Sequence, residues 1–342
     1  MPEHEATGTD SSNLNVALLQ MMTGYWVSKA VYVAAKLGIA DLVSGGPVHC
    51  DELARLTGTH APSLNLTMRA LASVGIFSEG NGQFAQTPMS GLLQTTVPNS
   101  MRALAIMYGE EQYRAWSNLL HSVRTGEPAF EHEFGVSVFE YFGQHPEASA
   151  VFNDAMTNWT TQVAVAVAGA YDFSRFGTVV DVGGNQGTLL AAILRGYPNA
   201  HGILFDLPHV VASARDHLEA AGIQSRCRII GGDFFKEVPP EGDAYLLAQI
   251  LHDWDDERCI AILVQCRRVM SDEGRLLVVE LVLPEGNDPF FGKWLDMHML
   301  VMASGRERTL DQYRKLLQMG GFEVTRVVPT PAGSSVVEAR PV

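Results

Sequence analysis

The run TVVDVGGNQGTLLAAIL, residues 178–194, constrains this chain more than any other stretch. A β-branched apolar run ends at Val182, glycines stand at 183, 184 and 187, and a helical pattern opens near Thr188. Strand, glycine-rich turn and helix in that order form the first unit of a parallel sheet with helices on both faces. Glycines in such a turn permit positive φ and close backbone approach. The free N–H groups at the helix start make a polar cradle. Downstream, HGILFDL, RCRIIGGDF, DAYLLAQIL, RLLVVELVL and FEVTRVVPT read as strands, with TLLAAILRG and DERCIAILVQCRRVM among the helical segments between them. The alternation predicts an α/β doubly wound, Rossmann-like sheet. FEVTRVVP and SSVVEARP are separated only by Thr330 to Gly333. A turn that short joins antiparallel strands, so the sheet is expected to end in an antiparallel hairpin.

Which ligand the turn holds depends on the spacing of its glycines. Dinucleotide sites use G-x-G-x-x-G, and no register of Gly183, Gly184 and Gly187 supplies it. A loop opened by an acidic residue, as in S-adenosylmethionine sites, fits Asp181, Gly183 and Gly187, with Asn185 at the middle position. Asn enters the left-handed region more readily than most residues. Asp206 ends the next strand, 25 residues after Asp181, where a carboxylate accepts ribose hydroxyls. One strand later come Gly232, Asp233 and Phe234, an acid for an adenine amine and a ring to pack on the base. Leu207 and Gln249 complete the candidate cofactor contacts.

The amino-terminal part reads differently. Residues 1–13 are polar and aperiodic and predict a loose tail. WVSKAVYVAAKLGIADLV is apolar on more than one face, as in a helix buried on several sides or against a partner chain. CDELARLTGTHAPSLNLTMRALASVGIF has helix-turn-helix spacing, and FSEGNGQFAQT has a hairpin signal at Gly80-Asn81-Gly82. Residues 14–100 therefore resemble a winged helix. Nucleic acid is excluded by charge, because residues 1–100 carry four basic and seven acidic side chains, and phosphate contacts need the opposite balance. Residues 101–165 read as a helical, aromatic-rich linker, and 166–342 as the catalytic domain.

The formal net charge of −14 argues equally against an anionic membrane surface. No stretch approaches a membrane span of roughly 20 apolar residues. Cys50, Cys227, Cys259 and Cys266 form no C-x-x-C pair, and no His/Cys metal pattern is present, so no metal is expected. A cytoplasmic protein with reduced thiols is the expectation.

VVDVGGNQG, LFDLPHV, GGDFF, ILHDWDDE and GRERT, in this order, resemble the plant caffeate-type and bacterial antibiotic-pathway O-methyltransferases, over nearly the whole chain from about Val16. The resemblance implies a class I methyltransferase domain, S-adenosylmethionine as methyl donor, and a homodimer formed through the winged-helix domain. It implies that His252 of the HDW motif is the base for an aromatic hydroxyl, flanked by Glu280 and Glu307, with Asp253 beside it. An imidazole is the side chain best poised to take a phenolic proton. Ala248 stands where the family commonly has Lys, so one polar cofactor contact is expected to be missing. The resemblance also places the substrate pocket on VFNDAMTNW and WLDMHMLVM. Candidate lining residues are Phe152, Met156, Trp159, Trp294, His298, Met299 and Met302, with Trp116 and Phe130 behind them. Trp294, His298 and Met302 are spaced by four and share a helix face. A nitrogen or carbon acceptor, an NAD-dependent oxidoreductase on the same sheet, and a non-catalytic ligand-binding relative are the alternative readings.

Overall fold

The structure, a computed structural model, describes residues 11–212, 214–303 and 305–342. It divides into two compact units, residues 1–113 with 147–155, and residues 114–146 with 156–342.

The first unit is built from short helices and a small sheet. Cys50–Thr57 and Ala61–Ser73 are the two helices of the helix-turn-helix. His49 caps the first of them by accepting from Asp51 N, and Gly58 ends it at φ 66°. Strands β1 (Val48–His49), β2 (Phe77–Gly80) and β3 (Gln83–Gln86) form an antiparallel sheet in the order β1-β3-β2. Asn81 and Gly82 both have positive φ, 53° and 73°, which is what a two-residue hairpin turn requires. Leu53, Met68, Phe77 and Phe84 close the core beneath. β1 is an unexpected third strand: two residues give no alternation to read.

The bounds of the tail and of the linker differ from the sequence expectation. Of the tail 1–13, residues 11–13 form the first turn of a helix, Ser11–Met22, while 1–10 lie outside the described residues. The linker 101–165 is not a separate body. Residues 101–113 and 147–155 belong to the first unit, and 114–146 and 156–165 to the second. The long helix Pro146–Ala170 carries residues of both.

The second unit holds β4 (Thr178–Val182), β5 (His201–Asp206), β6 (Cys227–Gly231), β7 (Ala244–Ala248), β8 (Arg275–Glu280), β9 (Val282–Leu283), β10 (Arg308–Thr309), β11 (Phe322–Pro329) and β12 (Ser335–Pro341). Seven of these make one sheet, β11-β12-β8-β7-β4-β5-β6. β4 to β8 run parallel, and β12 inserts antiparallel between β8 and β11. Ala244–Leu247 and Leu276–Val279 are fully buried, which is why they read as unbroken apolar runs. The strand order reverses at β4 and β7, so the crevice beyond their carboxyl ends is where a doubly wound sheet binds ligands. β9 and β10 form a separate two-residue parallel pair, with Arg308 opposite Val282 and Thr309 opposite Leu283.

Candidate active site

The loop after β4 is held by packing as well as by backbone freedom. Gly183 has φ 74°, and a Cβ there would fall 2.5 Å from Cδ1 of Ile250. A Cβ on Gly184 would fall 2.6 Å from the carboxyl carbon of Asp181. The sequence reading assigned these glycines to close approach of a ligand. The structure adds that protein side chains already occupy that space. Gly187 caps the helix Thr188–Gly196 at φ 82°. Asn185 sits in the left-handed region at φ 52°, and its N–H donates to Asp206 Oδ2 at 2.9 Å. Asp206 Oδ1 accepts from Leu207 N at 2.6 Å. Asp181 is buried, its Oδ2 has no hydrogen-bond partner among the described residues, and burial together with the Asp206 charge pushes its carboxyl up to about 7. Two neighbouring carboxyls repel a pyrophosphate and suit a ligand that brings cationic and hydroxyl donors. The residues present therefore fit S-adenosylmethionine better than a dinucleotide.

The remaining cofactor candidates cluster at the same sheet edge. Asp233 Oδ1 accepts from Phe235 N at 3.0 Å, and its Oδ2 pairs with Lys236 at 3.0 Å. Phe234 meets Phe235 edge-on and lies against the position a Gly183 side chain would fill. Gly232 N donates to Asp206 O at 2.9 Å. Gln249, directly after β7, is held at φ 56°, a strained conformation for this residue, with its N–H on Val279 O at 3.0 Å.

His252 lies on the short 3-10 helix Leu251–Asp253, three residues beyond Gln249. Its Nδ1 is 2.9 Å from Glu307 Oε1 and 3.8 Å from Glu280 Oε2, and its Nε2 is 3.5 Å from Asp253 Oδ1. Burial by itself lowers the imidazole pKa, but Glu280, Asp253 and Glu307 outweigh it and raise it to about 10. Glu280, at the end of β8, is 1% exposed. Its Oε1 accepts from the backbone N–H of Ile250, Leu251 and His252 at 3.1, 2.9 and 3.4 Å. This glutamate therefore holds the backbone that carries the histidine. Burial, then the neighbouring acids, raise its carboxyl to about 7. Donor atoms of His252, Glu280 and Glu307 all lie within 4.8 Å of one another.

Glu280 and Glu307 are 27 residues apart in sequence, and the β9–β10 pair brings them together by zipping the strand after Glu280 to the strand after Glu307. Three further residues fix the arrangement, and sequence reasoning missed them. Arg308 is fully buried and donates to Leu251 O at 2.7 Å, to Trp254 O at 2.9 Å and to Asp256 Oδ1. Asp256 receives Arg306 as well. Asp296 Oδ1 accepts from Glu307 N at 2.9 Å. The available signal was charge: the basic GRERT stands against the acidic DDE of the HDW segment.

The substrate-pocket candidates spread over several environments. Phe152 belongs to the first unit, and Met156 and Trp159 to the second. On the helix Phe291–Met302, Trp294 is 64% exposed, whereas Met299 and Met302 are buried. The shared face expected for Trp294, His298 and Met302 thus runs from open to closed along the helix. Trp116 Nε1–H donates to His298 Nδ1 at 2.9 Å, which places the ring proton of neutral His298 on Nε2. Burial lowers the pKa of His298 to about 4. Trp159 packs at 5.9 Å from Phe291. Phe130 is fully buried among Phe134 and Tyr141 and is core.

The sheet order and the acid-rich loops beyond β4 to β8 define a class I methyltransferase fold. The chain belongs to the O-methyltransferase family: residues 116–323 match its O-methyltransferase domain and residues 19–96 its dimerisation domain. It is 57% identical to phenazine O-methyltransferase PhzM of Lysobacter antibioticus over 330 residues, covering 96% of this chain and 97% of that one. It is 40% identical to 3-amino-4-hydroxybenzoate 4-O-methyltransferase of Streptomyces cremeus, over 94% of this chain and 89% of the other. Among solved structures, CalO1, a methyltransferase in calicheamicin biosynthesis solved with S-adenosylhomocysteine bound, superposes with TM-score 0.87 at 35% identity, over 98% of this chain and all of that one.

Proposed function

We propose that the chain transfers a methyl group from S-adenosylmethionine to a hydroxyl of a small aromatic secondary metabolite, with His252 as general base. The observation that carries this reading is His252 itself, its side chain 13% exposed and bonded through Nδ1 to Glu307 at 2.9 Å, at the same sheet edge as the glycine-rich loop. When bound, the cofactor supplies an electrophilic methyl group on a positively charged sulfur. Asp181, Gly183, Asn185, Asp206, Asp233, Phe234 and Gln249 would hold it. His252 Nε2 takes the hydroxyl proton, and Glu307 keeps the proton of the neutral ring on Nδ1 and stabilises the imidazolium that results. A phenol and a histidine raised to about 10 have matched proton affinities, so the transfer is close to thermoneutral. Alignment of the oxygen supplies the rest of the rate.

The relatives named above act on phenazine and aminohydroxybenzoate nuclei, and the apolar helix Phe291–Met302 suits a flat aromatic guest of that kind. The exposed Leu14, Leu18, Met21 and Trp26 on the helices Ser11–Met22 and Gly24–Lys36 support a homodimer through the first unit. A cytoplasmic enzyme without nucleic-acid or membrane partners is in keeping with the charge of −14. Among the described residues no helix is long and apolar enough to cross a membrane. Calorimetry with S-adenosylhomocysteine and with NAD tests the class: micromolar binding of the first alone supports it, and binding of NAD alone overturns it. Light scattering tests the dimer, and a monomer refutes it.

A further inference from the structure

We propose that one buried water molecule, held by Tyr313 Oη and by Oε2 of both Glu280 and Glu307, closes a hydrogen-bonded cage behind His252, and that Tyr313 is a positioning residue for the base. The inference rests on the reading of His252 as base.

Glu280 spends Oε1 on three backbone N–H groups, and Glu307 spends Oε1 on His252 Nδ1. The second oxygen of each, and the Tyr313 hydroxyl, are buried and form no hydrogen bond among the described residues. Buried polar atoms in folded proteins are almost always paired, and orphan atoms on two glutamates that meet at His252 and on a tyrosine of the core cluster under β8 point to a shared partner. The helix Leu310–Met319 starts directly after GRERT, held by the Thr309–Gln312 capping box, and sets Tyr313 into the core beneath β8. Tyr313 is fully buried, and the charges of Glu280 and Glu307 both reach its hydroxyl and oppose its ionisation.

The three atoms do not bond one another directly, so the partner has to bridge them. Two carboxyl oxygens require two donors, and the tyrosine supplies an O–H that requires an acceptor. One water meets all three demands, donating to Glu280 Oε2 and Glu307 Oε2 and accepting from Tyr313. Three hydrogen bonds is the usual number for a buried water. A cation would suit the two carboxyls but would leave the tyrosine proton without an acceptor. Donation to the carboxyls favours their charged forms, and these in turn hold the imidazole in place and raise its proton affinity.

Tyr313→Phe removes the O–H and keeps the ring. The expected result is a kcat about threefold to tenfold lower and an unchanged KM for the methyl donor. The alkaline rise of kcat/KM should move about half a pH unit lower, as the less stabilised carboxyls release His252 from its raised value. A folded variant whose pH profile superposes on the wild type overturns the positioning role. The water is tested separately, without reference to activity, by a crystal structure of the wild-type protein at about 1.5 Å. A density peak within hydrogen-bond distance of all three oxygens supports it. No peak, or one stoichiometric bound metal by elemental analysis, overturns it. The crystal result also decides the matter if the variant fails to fold.

Discussion

Two glutamates in the same sheet, Glu280 on β8 and Glu338 on the adjacent β12, are both nearly inaccessible to solvent. Their surroundings are opposite. Glu338, toward the amino-terminal edge of β8, accepts from Tyr171 Oη at 2.7 Å and Arg326 Nε at 2.7 Å, and pairs with Arg175 at 2.9 Å and Arg275 at 3.5 Å. Burial acts to raise its carboxyl, but the tyrosine and arginines prevail and hold it at about 2. Glu280, at the carboxyl-terminal edge, faces a histidine and two more acids, has one oxygen without a hydrogen bond among the described residues, and is raised to about 7. A buried carboxylate with every valence met is a clamp. One left among like charges beside an imidazole is poised for proton chemistry. The two ends of one sheet thus hold the same residue type in opposite electrostatic states, with the neighbours deciding which.

Substitutions separate the two ends of the sheet, and loss of the base has the largest expected effect. His252→Ala should lower kcat about 10³-fold, within the range for a lost general base. Near-full activity in steady-state assays would sink the base role. Glu307→Gln should lower kcat by about 10², since an amide no longer fixes the ring tautomer; kcat within twofold of wild type contradicts that. With an acceptor that stays un-ionised, kcat/KM should climb about tenfold per pH unit above neutrality, as the His252 ring raised to about 10 loses its proton. A flat profile between pH 7 and 9 would show that the carboxylates do not hold the proton there.

At the other end, Glu338→Ala should leave kcat per folded molecule unchanged. It should destabilise the protein by about 2 kcal/mol, because buried donors lose their acceptor, which thermal melts read as a drop in Tm of several degrees. The pH sign follows from the depressed value. The stabilisation from Glu338 is fully present above its ordinary value of 4.5 and fades as pH falls toward about 2. Acid unfolding of the variant should therefore be less steep than that of the wild type. A fall in kcat as large as that of Glu307→Gln would erase the distinction between the two ends. The smallest effect is expected from Asp296→Ala, which frees Glu307 N: kcat about fivefold lower with an unchanged KM for the methyl donor. An increase in that KM instead would place Asp296 at the cofactor.

Much of the site was legible in the chain because its parts are local. The β4 loop, Asp206 at its strand tip, Gly232-Asp233-Phe234 and the HDW segment each announce themselves by a strand ending in glycine or acid, and the sheet places those ends on one edge. Glycine spacing excluded the dinucleotide pattern, and the charge count excluded nucleic acid, from composition and order alone. What sequence could not supply were relations between distant segments. The β9–β10 pair is two residues long, too short for any periodic signal, yet it sets Glu307 beside Glu280. Nothing in the order of GRERT marks Arg308 for burial, yet it is buried on Leu251 O, Trp254 O and Asp256. Helical spacing placed Trp294 and Met302 on one face but gave no account of why one is open and the other closed, since exposure depends on what packs opposite. The sequence by itself determined the sheet and the loop chemistry and named the candidate reactive groups, because these follow from period, turn and residue type. Only the tertiary structure decided how charged each buried acid is, because a pKa is set by the neighbours that folding supplies.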